Sequence, residues 1–191
     1  MKAVVGLRNP GPEYESTRHN VGFDVLARLA DSQGERFRRG PGRIRAETAQ
    51  TRIAGEKVVL AAPLTYMNES GGAVRALIDY FGVDAADMLV IHDDIDLPFG
   101  RLRLQFGGGT GGHNGLRSIE KSLGHRDFHR LKFGVGRPPG RMDPADFVLR
   151  PFAKAERAEV ELMIEDAADV AAAWVTDIER ATRLAGERKV G

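Results

Sequence analysis

Apolar residues recur along this chain at two spacings, and the order in which the spacings alternate outlines an α/β fold. Ala3 to Leu7 is a short, wholly apolar run ended by Asn9-Pro10-Gly11, as expected of a first strand buried on both faces and followed by a tight turn. Val21, Val25, Leu26 and Leu29 then repeat at helical spacing and predict a helix over 21–33 that Asn20 caps and Gly34 closes. Residues 44–53 and 57–62 flank Ala54-Gly55-Glu56 as a hairpin, with Val58-Val59-Leu60 in its more buried arm. A second helix is predicted from Asn68 or Glu69 to Phe81, stopped by Gly82, and an apolar strand from Met88 to His92 delivers His92-Asp93-Asp94 at its carboxyl end. Residues 101–106 alternate like a strand with one wet face. The glycine run 107–112 precedes a helix from His113 or Asn114 to Leu123, and residues 131–135 form another strand.

The longest periodic stretch is the last. Val160, Met163, Ile164, Ala167, Ala171, Trp174 and Ile178 fall on one stripe, while Glu156, Glu159, Glu161, Glu165 and Asp166 decorate the rest, so one long C-terminal amphipathic helix is expected with Trp174 in the core. Strands alternating with helices imply a single three-layer α/β domain over 1–191, its mixed, mostly parallel twisted sheet flanked by helices. No internal repeat is found. Function in such a fold is expected at the carboxyl edge of the strands.

Composition narrows the class. At 191 residues, 42% hydrophobic and 29% charged, the chain can bury a proper core but is short for two ordinary domains. No apolar run approaches the length needed to span a bilayer, and the opening residues break at Pro10 too early for a signal-peptide core, so a soluble, unexported, cytoplasmic protein is expected. Zero cysteines exclude disulfides, thiolate metal sites and a cysteine nucleophile. A net charge of +1 decides nothing by itself. Arginines crowd at Arg36, Arg38, Arg39, Arg43 and Arg45, and basic residues recur through Arg101, Arg103, Arg117, Lys121, Arg126, Arg130, Lys132, Arg137 and Arg141. Taken singly these read as solvated surface charges, and only convergence beside a site would argue for phosphate binding.

Candidate chemistry gathers at loop ends. All four asparagines, Asn9, Asn20, Asn68 and Asn114, stand where a strand or glycine-rich loop gives way to the next element, with histidines and the acidic segment His92-Asp93-Asp94 among them. The turn after the first strand lacks the dinucleotide spacing, the glycine run lacks the lysine of a P-loop, and neither a G-x-S-x-G elbow nor an H-E-x-x-H pair occurs. Water is the economical nucleophile. It needs a base near neutrality, and His19, in a polar loop just before a helix, is the best placed imidazole, with Asp93 positioned to fix its tautomer. Asparagine amides can donate to a developing oxyanion without adding charge. Simpler readings stand beside these: His19 as a residue that holds its loop, Asn68 and Asn114 as helix caps, and Asn9 as a turn residue. Asp93, Asp94 and Asp96 with His19, His92 and His113 could instead ligate a metal. The glycine run fits a flexible connection or a mobile lid.

The segments GLRNPGPEY, TRHNVGF, TYMNESG, HDDIDLPFG and GGGTGGHNGLRSI, in this order and followed by FHRLKFGVGRPPG and DFVL, closely resemble the bacterial peptidyl-tRNA hydrolases over nearly the whole chain. The resemblance implies an esterase that cleaves the bond between an N-blocked aminoacyl or peptidyl group and the 3′ ribose of tRNA, recycling tRNA from peptidyl-tRNA released prematurely during translation. By motif match His19 is the general base and Asp93 its orienting carboxylate, while Asn9 contacts the substrate beside the ester and discriminates a blocked amine from a free one. Asn68 and Asn114 match substrate-binding amides, Tyr14 and Tyr66 line the same cleft, and Met67 and His113 are neighbours of second rank. The RNA would lie over a basic face near Arg103 and Lys132. No metal and no cofactor are implied, nor a membrane or an obligate protein partner, and a monomer is expected. Two departures stand out: Gln105 replaces a lysine common in relatives, putting that phosphate contact in doubt, and Pro98-Phe99-Gly100 replaces a proline-proline-glycine. A non-catalytic tRNA- or ribosome-associated RNA-binding module, or a metal-dependent hydrolase using His92-Asp93-Asp94, are the competing classes.

Overall fold

Period-two packing on both faces of one sheet organises the computed structural model, which describes residues 1–191. Seven strands, β1 (Lys2–Gly6), β2 (Arg38–Arg39), β3 (Ala46–Ile53), β4 (Glu56–Pro63), β5 (Met88–Asp94), β6 (Leu102–Phe106) and β7 (His129–Gly134), lie in the order β2-β3-β4-β1-β5-β7-β6. The central β4, β1, β5 and β7 are parallel, and β3 and β6 flank them antiparallel. Along β1 and β5 the side chains alternate between two cores. Val4, Leu89 and Ile91 point to one, and Ala3, Val5, Met88 and Val90 to the other, which is why these segments read as unbroken apolar runs.

Helices cover both faces. Helix α1 (Val21–Ser32) packs on the first face, and α2 (Ser70–Phe81) and α3 (Asn114–Leu123) on the second; α4 (Pro144–Val148) is short, and α5 (Arg157–Trp174) and α6 (Ile178–Glu187) complete the first face. The three-layer, single-domain α/β expectation is met. The C-terminal stripe, however, ends sooner than its periodicity suggests. Val160, Met163, Ala167, Ala171 and Trp174 are buried, but Ile178 is 41% exposed and opens a separate helix, because the Asp177 carboxylate accepts the Arg180 amide at 3.0 Å and caps it.

Asn20 was expected to cap α1, and capping was the simpler reading of Asn68 and Asn114; none of the three caps a helix. Asn20 makes no capping bond to α1; its carboxamide pairs with the Asn9 backbone, accepting from the amide at 2.8 Å and donating to the carbonyl at 2.9 Å. Asn68 lies within a 3-10 turn, Met67–Glu69, and α3 is capped by the imidazole of His113 rather than by Asn114. Neighbouring β1 and β5 send the chain in opposite directions along the sheet, β1 by way of α1 toward β2 and β3, β5 toward β6 and β7. Their carboxyl ends therefore frame the crevice where ligands of open α/β sheets bind.

Candidate active site

Two glycines set the geometry of this crevice. Gly22 in the first turn of α1 lies so close to the Ile91 carbonyl that an added Cβ would collide with it, and a Cβ at Gly6 would strike the backbone of Gly22. The helix start is thereby pressed onto the ends of β1 and β5, and the turn Arg18–Asn20 that precedes it is carried over Asp93. His19 Nδ1 lies 3.0 Å from both carboxylate oxygens of Asp93. A carboxylate only accepts, so Nδ1 carries the proton, and Nε2 keeps its lone pair with no protein partner. Burial opposes protonation of His19, but the charge of Asp93 and its hydrogen bond outweigh burial and raise the imidazole above its ordinary range. Burial likewise opposes ionisation of Asp93, and His19 and His113 override it, holding the carboxyl well below the carboxylate range.

His113 is the second donor to Asp93, its Nε2 3.0 Å from Oδ1, while its Nδ1 accepts the amides of Gly115 at 3.1 Å and Leu116 at 3.3 Å. Amides donate, so Nδ1 must be bare and Nε2 protonated; the ring is neutral in one tautomer, and burial lowers its affinity for a second proton, outweighing the charge and hydrogen bond of Asp93, which raise it. His19, Asp93 and His113 are also the one trio of ligand-type atoms within 4.8 Å of each other. Metal binding there would need the His113 Nε2 lone pair, which would move the ring proton onto Nδ1 against two amide N–H groups. This donor set fits a hydrogen-bonded carboxylate, and it does not fit a metal. The segment expected to offer ligands, His92-Asp93-Asp94, does not converge either. His92 Nδ1 donates to the Asp93 carbonyl at 2.7 Å, and Asp94 accepts the Asp96 amide and faces Lys132 at 3.8 Å. Burial first, then His113, pulls His92 down to about 3 and keeps it neutral.

The cleft over this trio encloses about 300 Å3 and is walled by Thr110–Asn114 on one side and by Asp143–Ala145 and Val148 on the other. Exposed Asn114 lines it. Asn9 sits on the far side of the Asn9–Asn20 pair and borders a neighbouring hollow of about 390 Å3 with Arg8 and Gly11. Its Oδ1 accepts the Met67 amide at 2.7 Å, which leaves its NH2 unpaired within the protein. Met67 is buried, and Asn68 beside it is exposed with a free side chain. Tyr66 is 56% exposed and Tyr14 half-buried, and neither borders the His19 cleft.

Basic residues separate by role. Arg103 and Lys132 are register partners on β6 and β7 and share a hollow of about 120 Å3 with Asp94, Asp96 and residues 109–111. Gln105 lies against Gly108, under the glycine run. Arg130, which the sequence offers as a surface charge, is fully buried; it stacks on Phe128 and donates to the Gly109 carbonyl at 2.6 Å, fixing that loop. Arg36, Arg38, Arg39, Arg43 and Arg45 are exposed toward the opposite, β2 edge and do not reach the His19 cleft. Periodicity gave no sign of Arg18, which is buried beside His19. It donates to the carbonyls of Phe147 at 3.1 Å and Arg150 at 3.3 Å and lies 3.8 Å over the Phe147 ring, tying α4 to the turn that carries His19.

An imidazole with a free Nε2, held by a buried carboxylate beside unpaired amide donors at the edge of an α/β sheet, defines an enzyme of the water-activating hydrolase class. The model of the peptidyl-tRNA hydrolase family matches residues 3–190. Peptidyl-tRNA hydrolases of Rhodococcus erythropolis and Frankia alni are 55% and 52% identical to it, over 87% and 91% of this chain and 87% of each relative. A crystal structure of peptidyl-tRNA hydrolase from Acinetobacter baumannii superposes with a TM-score of 0.92 at 34% identity, covering 99% of this chain and 96% of that one. The chain belongs to the peptidyl-tRNA hydrolase family.

Proposed function

We propose that this chain hydrolyses the ester joining a peptidyl or N-blocked aminoacyl group to the 3′ ribose of tRNA, with His19 taking a proton from the attacking water and Asp93 holding the imidazole in the tautomer that leaves Nε2 free. The observation that carries the reading is the 3.0 Å contact of His19 Nδ1 with both oxygens of Asp93. The unpaired NH2 of Asn9 supports its role beside the ester, where it donates to the acyl group and senses whether the amine is blocked. Exposed Asn68 and Asn114 extend this set of neutral amides along the substrate, and Tyr14 and Tyr66 flank its path rather than floor the cleft. Arg103 and Lys132 offer the nearest paired basic positions for a backbone phosphate, with Gln105 contributing no charge there. The chain works as one domain and as a monomer in the cytoplasm without an obligate protein partner; no helix is long and apolar enough to cross a membrane.

Hydrolysis of N-acetyl-aminoacyl-tRNA against unblocked aminoacyl-tRNA, with excess chelator and a His19→Ala control, tests the proposal. Release from the blocked substrate alone is expected, with the folded His19→Ala protein slower by roughly 10² or more. Tight, salt-dependent tRNA binding without release would make the chain an RNA-binding module, and activity restored only by added metal would remove His19 as the base.

A further inference from the structure

We propose that His113 is a positioning residue for the catalytic pair: its Nε2–H takes a share of the Asp93 carboxylate that His19 would otherwise have alone, and its Nδ1 locks the start of α3 to that carboxylate. The inference rests on His19 being the base. Four hydrogen bonds compel the arrangement. Oδ1 of Asp93 receives both imidazoles at 3.0 Å, and the opposite nitrogen of His113 is held by the amides of Gly115 and Leu116. Because those amides cap α3, His113 cannot take a proton without breaking its own cap, so it serves as a donor of fixed charge and fixed direction. A hydrogen bond to an ionised carboxylate withdraws part of the charge it offers to other partners. His113 thus limits how firmly Asp93 holds the proton on His19, and keeps His19 a free base at a lower pH than the bare pair would. The other ionisable groups on these walls are His92 and Asp94 from β5, Asp143 before α4 and Arg18 beside His19, and all stay constant in the test.

The two nitrogens can be removed separately. In His113→Asn the carboxamide oxygen replaces Nδ1 at the cap but cannot reach Asp93; in His113→Gln the longer amide reaches Asp93 but serves poorly as a cap. The pH profile of kcat/KM on N-acetyl-aminoacyl-tRNA reports the free-enzyme base. His113→Asn is expected to move the acid limb to higher pH while leaving Tm close to wild type, and His113→Gln to keep the wild-type limb while lowering Tm. An unmoved limb in His113→Asn, or equal displacement in both variants, overturns the proposal, since a merely structural histidine would lower Tm and rate without moving the limb. Undiminished turnover by folded His19→Ala would instead reject His19 as base, an outcome separable from either result.

Discussion

The site depends on what single side chains do with their unused lone pairs and protons. Asn9 spends its oxygen on the Met67 amide, and its NH2 has no partner within the protein. Asn9→Asp replaces that donor by a second acceptor, so kcat/KM on the blocked substrate is expected to fall far more than affinity for deacylated tRNA; unchanged kinetics would remove Asn9 from the site. Asp24 carries a different signature, since burial first and Glu161 second push its carboxyl up to about 6. A raised carboxylate is a liability once ionised, and stability declines as pH rises from the ordinary carboxylate range through about 6. Asp24→Asn is expected to stabilise the protein at about pH 7 by on the order of 1 kcal/mol, with the gain vanishing below about pH 4, measured by urea unfolding. His19 and Asp93 were legible in the sequence because their residue types and loop positions constrain the chemistry. His113 was visible only as a neighbour, because its task follows from which nitrogen faces which partner.

Elements explain how the residues meet. The start of α1 can press on β1 and β5 only while positions 6 and 22 lack side chains, so Gly22→Ala is expected to lower Tm by several degrees and to cut kcat as His19 lifts from Asp93. Gly72, exposed in α2 with open space about its Cβ direction, is the control: Gly72→Ala should stabilise by about 0.5–1 kcal/mol and leave kcat alone. Periodicity located α1, α2, α3, α5 and every strand but the two-residue β2 to within a few residues, because their apolar faces are buried and little else competes, whereas β2, α4 and α6 were not read. It failed where polar side chains chose between local and distant partners. Asn20, read as a cap, is used to clasp Asn9 across the crevice, while Asp177, unread, caps α6 and ends the long helix at Trp174.

At the scale of the whole molecule, several buried imidazoles tie stability to pH. His92 and His113 have lowered affinity for protons when folded, so below about 6.5, the ordinary histidine value, the unfolded chain binds protons that the native state refuses. Stability must then fall as pH falls, for His92 down to about 3. His19, raised when folded, acts in the opposite sense; its contribution is present at low pH and fades as pH rises through its raised value. Asp24 gains stability over the same descent, so the His92 share is read by difference: from about pH 7 to about pH 5 the wild-type protein is expected to lose on the order of 1 kcal/mol of unfolding free energy relative to His92→Gln, and parallel curves would mean that His92 binds protons alike in the folded and unfolded chain. Arg18 joins the turn that carries His19 to α4 and Glu156 across the chain, a link no local pattern announces. Order of elements, two-sided burial of the central strands and the chemistry available at loop ends follow from the linear chain, since each depends on neighbours a few residues apart. Which asparagine keeps a free NH2, which arginine is buried, whether His92-Asp93-Asp94 converges and how one carboxylate is divided between His19 and His113 depend on partners as many as 138 residues apart along the chain, and only folding brings those partners together.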